Sequence, residues 1–314
     1  MKKLFILLLT LLTSISLFGC QKRAKYVIGV CQFAQAGALD DATKGFVDTL
    51  KTEFGDDVDI IVNNALGVSS DCVTIVNGFI ADGVDMILAN ATPVLQAASA
   101  ATTQIPILGT SITEYGVALG LEDFNGVVGT NVSGTSDLAP LDQQGQMILD
   151  LLPQAKKVGI IFSKDEPNSL YQVKVMKEFL TKHQVEVLEF SLTGSESVNN
   201  VVQSACEQCD ALFVPTDNTA ANNAQAINNI ASVAKTPIIA GEKAVCAICG
   251  VASLSIDYYS LGQTTAQMAI EILKGEKDIK NMAIQYDQHP VKVFNPEIAQ
   301  ALNIAIPSDY VPCN

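Results

Sequence analysis

Short apolar runs alternate with longer amphipathic stretches along most of the chain. Many of the runs are apolar at every position and rich in β-branched residues, a composition typical of strands that are buried on both faces. In the longer stretches the apolar positions recur at helical spacing, as Leu39, Phe46 and Leu50 do. Strands and helices that alternate in this way predict parallel sheets that carry helices on both faces.

The alternation occurs twice. In the first part, strands are predicted at residues 26–31, 58–62, 84–89, 105–108 and 126–129, and helices at 39–54, 70–81 and 93–103. In the second part, strands are predicted at residues 158–162, 185–190, 211–214, 237–240 and 251–256, and helices at 141–152, 167–183, 197–207 and 219–234. We therefore predict an α/β fold of two doubly wound parallel-sheet lobes with a ligand cleft between them.

The first residues have the layout of a secretory signal. Lys2 and Lys3 precede a short apolar run, and the sequence Leu17-Phe18-Gly19-Cys20 follows it. A membrane-spanning helix needs about 20 apolar residues, so this run predicts a cleaved signal at residues 1–19. Leu-x-Gly-Cys resembles a bacterial lipobox, which predicts that Cys20 carries a lipid and that residues 20–25 form a tether. Cys20 could otherwise be an incidental cysteine in an ordinary signal.

The net charge and the length of the chain restrict the classes of function that are compatible with it. The formal net charge is −14, and it becomes −16 when the signal removes two lysines and no acidic residue. An acidic chain without clustered lysine and arginine argues against nucleic acid as a partner. The mature chain of roughly 290 residues exceeds the size at which one core stops growing, which agrees with two lobes.

Polar residues follow most of the predicted strands. In parallel α/β sheets, ligands bind beyond the carboxyl ends of the strands, and helix N-termini there suit a carboxylate. Acidic side chains at the same edges suit an ammonium group, so both together predict a small zwitterion such as an amino acid. Each of these residues could instead be an ordinary helix cap. The candidates from strand ends are Phe33, Thr92, Ser111, Asp217, Asn218 and Asp257.

Five segments, taken in order, carry a resemblance to a known family. They are Leu88-Ala89-x-Ala91-Thr92-Pro93, Gly129-Thr130-Asn131-Val132-Ser133-Gly134, Glu166-Pro167-Asn168-Ser169, Val214-Pro215-Thr216-Asp217-Asn218 and Ile256-Asp257-Tyr258-Tyr259. Together they resemble the tryptophan/tyrosine-type substrate-binding lipoproteins of ATP-binding-cassette (ABC) transporters, over essentially the whole mature chain.

The resemblance implies the type I fold of periplasmic binding proteins, with three crossovers near residues 131–137, 257 and 284–289. Lobe 1 would comprise residues 26–132 and 258–283, and lobe 2 residues 133–257 and 284–314. The implied pocket residues are Thr92, Ser111, Asn168, Ser169, Asp217 and Asp257, and Glu166, in the same segment as Asn168, is a further candidate. One departure from the family, Ala34-Gln35-Ala36-Gly37 after the first strand, affects the end of the site that holds the ligand side chain.

The resemblance further implies a lipid-anchored binding protein on the extracytoplasmic face of the cell membrane. It would bind a tryptophan, tyrosine or phenylalanine and deliver it to an ABC permease, without a cofactor or metal. Because Asp217 follows an apolar strand that should lie centrally in its sheet, we predict that it is the main partner of the ligand ammonium, and that Asp257 serves the hinge or a second hydrogen bond. The alternatives are a binding protein for another small metabolite and a surface adhesin.

An enzyme is not indicated. The chain has no nucleophile-elbow motif, no phosphate-binding loop and no Gly-x-Gly-x-x-Gly after a strand. Its two histidines, His183 and His289, do not follow predicted strands. A hydrolytic triad or a histidine metal site is therefore unsupported.

Seven cysteines remain when Cys20 is set aside, so at least one is unpaired in a monomer. Cys206-x-x-Cys209 and Cys246-x-x-Cys249 are farther apart than the two halves of a usual zinc ribbon. Disulfides, free thiols and a metal site are all compatible with this spacing.

Overall fold

The computed structural model describes residues 24–193, 197–287 and 289–313. The predicted signal, Cys20 and most of the tether lie outside these residues. Within them the chain forms two α/β lobes, each built on one sheet. The predicted fold class is confirmed.

Lobe 1 contains a six-stranded sheet in the order β11-β5-β4-β3-β1-β2, and all of its strand pairs are parallel. Its strands are β1 (Tyr26–Gln32), β2 (Val58–Asn64), β3 (Met86–Asn90), β4 (Ile107–Ile112), β5 (Val132–Ser136) and β11 (Gln285–Tyr286). Strands β3 and β4 are buried at every position, as their unbroken apolar runs predict.

Lobe 2 contains a seven-stranded sheet in the order β13-β12-β10-β9-β8-β6-β7. Its strands are β6 (Lys157–Ser163), β7 (Glu186–Leu192), β8 (Ala211–Val214), β9 (Ile238–Ala240), β10 (Ala252–Ser255), β12 (Val291–Phe294) and β13 (Val311–Pro312). β12 runs antiparallel to β10, and the pairs from β10 to β7 are parallel. The sheet is thus mixed at one edge only.

Helices cover the sheets. Lobe 1 has α1 (Gly37–Phe54), α2 (Ser69–Asp82), α3 (Thr92–Ala101), α4 (Tyr115–Leu119) and α11 (Tyr258–Leu273). Lobe 2 has α5 (Leu141–Leu151), α6 (Pro167–Lys182), α7 (Val198–Gln208), α8 (Asn218–Asn222), α9 (Ala224–Ala234), α10 (Lys243–Cys249) and α12 (Pro296–Ala301). Short 3-10 turns lie at Gly55–Asp57 and Ile279–Asn281.

Two glycines let α1 and α11 pack closely. A Cβ at Gly45 would collide with the carbonyl oxygen of Tyr259, and one at Gly262 would collide with that of Ala42. Each helix therefore presents backbone to the other, which seats the start of α11 against the start of α1. Both helix starts face the region between the lobes.

Two predicted elements are wrong. Residues 126–129 form no strand, and Val127 makes only an isolated bridge to Ala283. Gly126 and Gly129 have φ angles of 94° and 78°, in a region that an extended strand does not use. The single helix predicted at 219–234 is two helices, because the chain breaks at Asn223, whose φ and ψ are −113° and 13°.

The sheet of lobe 1 extends past the predicted lobe boundaries at residues 132 and 283. β5 continues to Ser136, and β11 pairs with β5 at Gln285 and Tyr286. The crossovers between the lobes therefore begin after these two strands. Among the helices that the structure describes, none has both the length and the apolar character needed to cross a bilayer.

Candidate ligand-binding site

A small chamber lies between the lobes, at the carboxyl ends of both sheets. Its volume is about 30 Å³, close to the share of one water molecule in the liquid. Lobe 1 contributes the residues after β1, β3, β4 and β5, and lobe 2 those after β6, β8 and β9. The polar side chains of the lining are Thr92, Ser111, Thr113, Asp137, Asn168, Thr216, Asp217, Asn218, Glu242 and Tyr258.

On the lobe 1 side, a buried amide network fixes the loop between β1 and α1. Gln32 Nε2 donates to the carbonyl oxygen of Ala34 at 2.7 Å and to Asp40 Oδ1 at 2.6 Å. Asn90 Nδ2 donates to the carbonyl oxygen of Leu39 at 2.8 Å and to Thr43 Oγ1 at 2.9 Å. These bonds hold the start of α1 over the ends of β1 and β3, and so fix this wall of the chamber through contacts within lobe 1.

Two residues of lobe 1, one in the lining and one next to it in the chain, have unusual backbone conformations. Ser111 has a φ of 55°, in the left-handed region that a serine adopts at a cost. Ala91, which precedes Thr92 and the first turn of α3, has a φ of 86°. The backbone therefore turns sharply after β3 and near the end of β4, which brings Thr92 and Ser111 to the chamber.

On the lobe 2 side, Glu166 organises the loop after β8. Its Oε1 accepts from the backbone N–H and the hydroxyl of Thr219 at 2.9 and 2.8 Å. Its Oε2 accepts from the backbone N–H and the side chain of Asn218 at 2.9 and 2.7 Å. Glu166 does not line the chamber. It holds the start of α8 in place, and Asn168 lies beside it.

Asp217 caps α8 and ties it to β6. Oδ1 accepts from the backbone N–H of Ala220 at 2.7 Å, and Oδ2 accepts from that of Ser163 at 2.6 Å. Burial and the neighbouring charge of Glu166 raise the pKa of Asp217 to about 7, against these backbone bonds and the Ser169 hydroxyl. Both oxygens are engaged inside lobe 2, so the structure favours the helix-cap role over the main ammonium contact that the sequence suggests for Asp217.

Two buried acids in the lining are missing from the sequence-based candidates. Asp137 follows β5, and its Oδ2 accepts from the Tyr258 hydroxyl at 2.9 Å. Burial raises the pKa of Asp137 to about 6, although the Tyr258 and Thr113 hydroxyls oppose the shift. Glu242 follows β9 at the start of α10. Burial and the charge on Asp137 raise its pKa to about 7, although the backbone N–H groups of Val245 and Ala244 oppose the shift.

The sequence places Glu242 at the end of a predicted strand, although it is not among the residues predicted for the site. Asp137 lacked such a signal, because β5 was not predicted as a strand.

Four polar atoms of the lining are buried and have no hydrogen-bond partner within the part of the chain that the structure describes. They are Ser111 Oγ, Asp137 Oδ1, Asn168 Oδ1 and Glu242 Oε2. A buried polar group without a partner is destabilising and rare in native proteins. The lining of the chamber therefore contains three acceptor oxygens and one hydroxyl that can still form hydrogen bonds. None of the described residues that line it is a lysine, arginine or histidine.

The structure brings five of the predicted residues to the chamber and places the other four elsewhere. Thr92, Ser111, Asn168, Asp217 and Asn218 line it. Ser169 is buried behind the lining, as Glu166 is. Phe33 lines a separate cavity of about 430 Å³ with Ala34, Gln35 and Leu66.

Asp257 is exposed and caps α11 through the backbone N–H groups of Tyr259 and Ser260. It borders a third cavity of about 350 Å³, the hinge cavity, which shares Ala38, Glu242 and Tyr258 with the chamber.

Comparison with known proteins decides the family. A family model described as ABC transporter substrate binding protein matches residues 27–311. The chain belongs to this family. A tyrosine-binding protein of Clostridioides difficile strain R20291 is 34% identical over 283 residues, which cover 88% of this chain and 81% of that protein.

Two solved structures extend the comparison. An ABC domain from Streptococcus pneumonia, in complex with L-Trp, is 31% identical with a TM-score of 0.87 and covers 92% of this substrate-binding protein and 100% of that chain. A ligand-free, open substrate-binding protein with adhesive properties from Clostridium difficile is 34% identical with a TM-score of 0.71 and covers 91% and 99%. The fold is that of type I periplasmic binding proteins.

The two solved structures differ in their similarity to this chain. The TM-score is higher for the complex, although the sequence identity is slightly lower. Within this chain, α4 of lobe 1 packs against α6 of lobe 2. The small chamber is therefore enclosed between two lobes that contact each other.

The seven cysteines in the described residues are free thiols, and the thiols that contact each other are not those of the Cys-x-x-Cys motifs. The Cys31 thiol lies in hydrogen-bond contact with that of Cys72, and the Cys246 thiol with that of Cys313. These contacts and burial raise the pKa of Cys31 and of Cys246. Within the described ranges, no three His, Cys, Asp or Glu side chains are grouped to hold a metal ion.

Proposed function

We propose that this protein is an extracytoplasmic, lipid-anchored substrate-binding protein of an ABC importer, and that it binds an aromatic amino acid as a zwitterion. The observation that carries the proposal is the closed chamber, whose lining presents unpartnered acceptors and a hydroxyl but no cationic side chain. A ligand with its own positive charge and several donors suits such a lining.

The carboxylate of the ligand would bind on the lobe 1 side. Thr92 is the first residue of α3, a helix of 10 residues whose N-terminus is the positive end of the helix dipole and favours negative charge. The hydroxyl of Ser111, which has no partner among the described residues, lines the same wall. Neutral donors of this kind hold a carboxylate without a lysine or arginine.

The aromatic ring needs more room than the chamber has. The hinge cavity of about 350 Å³ adjoins the chamber and carries Ala38, Ala247 and Ile256 in its lining. The cavity beside Phe33 and Leu66 offers about 430 Å³ on another side. The relatives named for tyrosine and in complex with L-Trp support an aromatic ligand.

Isothermal titration calorimetry of residues 24–314 against each common amino acid tests this proposal. We expect saturable binding of tyrosine, tryptophan or phenylalanine and none of sugars. A thermal shift should accompany it, since a ligand at about a hundredfold excess over its Kd stabilises the folded state by about 2.7 kcal/mol. Tight binding of a sugar without binding of an amino acid would overturn the assignment.

The lipid anchor and the transport role rest on the sequence and the family. Mass spectrometry of the membrane-extracted protein should find a diacylglyceryl group on Cys20, and Cys20→Ser should release the protein from the membrane. Deletion of the gene should reduce uptake of the labelled amino acid found by calorimetry. Unchanged uptake would contradict the importer role while leaving the binding function intact.

Adhesion is a second candidate function, because the open relative is described as having adhesive properties. Beads that carry the mature protein would be compared with beads that carry the heat-denatured protein for attachment to cultured cells. Equal attachment of the two would exclude adhesion by the folded protein.

A further inference from the structure

Two carboxylates face the chamber from opposite lobes. Asp137 follows β5 in the sheet of lobe 1, and Glu242 follows β9 in the sheet of lobe 2. Their exposed fractions are 3% and 5%. Each has one buried oxygen, Oδ1 of Asp137 and Oε2 of Glu242, without a partner among the described residues.

A third unpartnered acceptor, Asn168 Oδ1, lines the same space from α6. A chamber of about 30 Å³ has room for a single small group. A primary ammonium group has three N–H donors and no acceptor, so its needs match these three oxygens in number and in kind.

Electrostatics favours a cation over water at this position. The charge on Asp137 acts on Glu242 and raises its pKa, so the two acids lie close enough to repel each other. Burial of an unpaired charge is costly, and closure of the cleft forces that burial on both groups. A cation between the two carboxylates would remove the cost in the closed state.

Other acids near the chamber are already satisfied. Asp217 accepts two backbone N–H bonds within lobe 2, and both oxygens of Glu166 accept from α8. Asp257 is exposed and caps α11. These carboxylates have roles in the fold that account for their position.

We propose that Asp137 and Glu242 form an ammonium clamp, in which the amino group of the ligand bridges the two lobes and makes closure of the cleft favourable. The clamp rests on the proposed function, because it assigns the positive end of the zwitterion. It makes the amino group the part of the ligand that couples binding to closure, and the carboxylate then adds affinity from lobe 1.

Calorimetry on the wild-type protein tests the clamp without any substitution. Tyrosine and tryptophan would be compared with their analogues in which hydrogen replaces the amino group. We expect the analogues to bind at least about tenfold more weakly, the scale of a lost charge-assisted hydrogen bond. Small-angle scattering should show a smaller radius of gyration with the amino acid but not with the analogue.

Substitutions of the two acids test the clamp independently. Glu242→Gln and Asp137→Asn keep the side-chain size and remove one charge each, and we expect each to weaken binding about tenfold or more. Asp142→Asn, on an exposed position of α5, is the matched control and should bind as the wild type does. Melting curves without ligand would verify that the variants fold.

The outcomes separate the two proposals. If the wild type binds tyrosine or tryptophan and the analogues bind equally well, the clamp is wrong and the proposed function stands. If both variants fold and keep wild-type affinity, the clamp is likewise wrong. If the wild type binds neither amino acid, the proposed function fails and the clamp fails with it.

Discussion

The hydroxyl of Tyr258 donates a hydrogen bond of 2.9 Å to Asp137 Oδ2 inside the closed cleft. Asp137 lies where the chain leaves the sheet of lobe 1, and Tyr258 begins α11, where the chain returns to that lobe. Burial and the charges on Asp137 and Glu242 raise the pKa of Tyr258 well above its usual value. The hydroxyl therefore stays protonated and joins two of the crossovers as a donor.

Removal of this donor should weaken ligand binding. In Tyr258→Phe, Asp137 would lose this hydrogen bond, so the pKa of Asp137 would rise and less of its charge would remain for a cation. We expect a loss of affinity of about threefold to tenfold by calorimetry. The variant Tyr259→Phe, which loses a bond to Asp48 away from the chamber, is the control. Equal losses in both variants would argue against a specific role of Tyr258.

Affinity should rise with pH through the range in which the buried acids ionise. The pKa of Asp137 is raised to about 6 and that of Glu242 to about 7. An ammonium ligand needs them charged, so binding below these values must first expel protons. We expect affinity to be at least about tenfold higher near pH 7.5 than near pH 5. Calorimetry in buffers of different ionisation enthalpy should detect proton release near pH 6, and a flat profile would contradict the cation site.

Without ligand, the free energy of unfolding of the closed form should fall as pH rises, opposite to the trend in affinity. A carboxyl whose folded pKa lies above its unfolded value favours the folded state most at low pH, and that contribution is lost as pH rises through the folded pKa. For Asp137, Asp217 and Glu242 the loss falls between about pH 4 and about pH 7. The ligand-induced rise in Tm should therefore be larger near pH 7.5 than near pH 5.

Asp217→Asn should lower stability more than an ordinary cap substitution does. Both Asp217 oxygens accept from backbone N–H groups, and an amide places an N–H₂ group against one of them. We expect the free energy of unfolding to fall by about 1–3 kcal/mol, measured by urea denaturation. Asp257→Asn, at an exposed cap, should cost less than about 0.5 kcal/mol. Retained stability with a large loss of affinity in Asp217→Asn would return the ammonium site to Asp217.

Two substitutions at Ser111 distinguish the effect of backbone strain from the effect of a hydroxyl contact with the ligand. Ser111→Gly relieves the left-handed backbone, whose φ is 55°, and should raise the free energy of unfolding by up to about 1 kcal/mol. Ser111→Ala keeps the strain and removes the same hydroxyl. Both variants should lose about threefold to tenfold in affinity if the hydroxyl binds the ligand carboxylate. Unchanged affinity in both would remove Ser111 from the ligand contacts.

Oxidation should link cysteines according to their contacts in the fold. After treatment with oxidised glutathione, peptide mapping without reductant should find Cys31 joined to Cys72 and Cys246 joined to Cys313, because these thiols touch. The second bridge closes a long loop and should add about 3–4 kcal/mol to stability. Cys313→Ser would abolish that gain. A bridge between Cys246 and Cys249 would contradict the predicted pairing.

The sequence by itself determined the architecture of this protein. Unbroken apolar runs such as residues 211–214 can be strands only in a sheet that is covered on both faces, and helices between them make the pairing parallel. The same logic identified strand ends, so Thr92, Ser111 and Asn218 were predicted near the ligand and do line the chamber. These features depend on local patterning and on the topology it implies.

Only the tertiary structure decided which polar groups remain unsatisfied. Asp217 and Glu242 both follow lobe 2 strands, and nothing in the sequence separates them. Folding places backbone N–H groups against both oxygens of Asp217, and it leaves one buried oxygen of Glu242 without a hydrogen-bond partner among the described residues. Only the structure identifies Asp137 as a strand-end residue, because β5 belongs to the sheet of lobe 1 and was not predicted from the sequence. The balance of buried charge depends on contacts between distant segments, because hydrogen bonding and desolvation act through space and not along the chain.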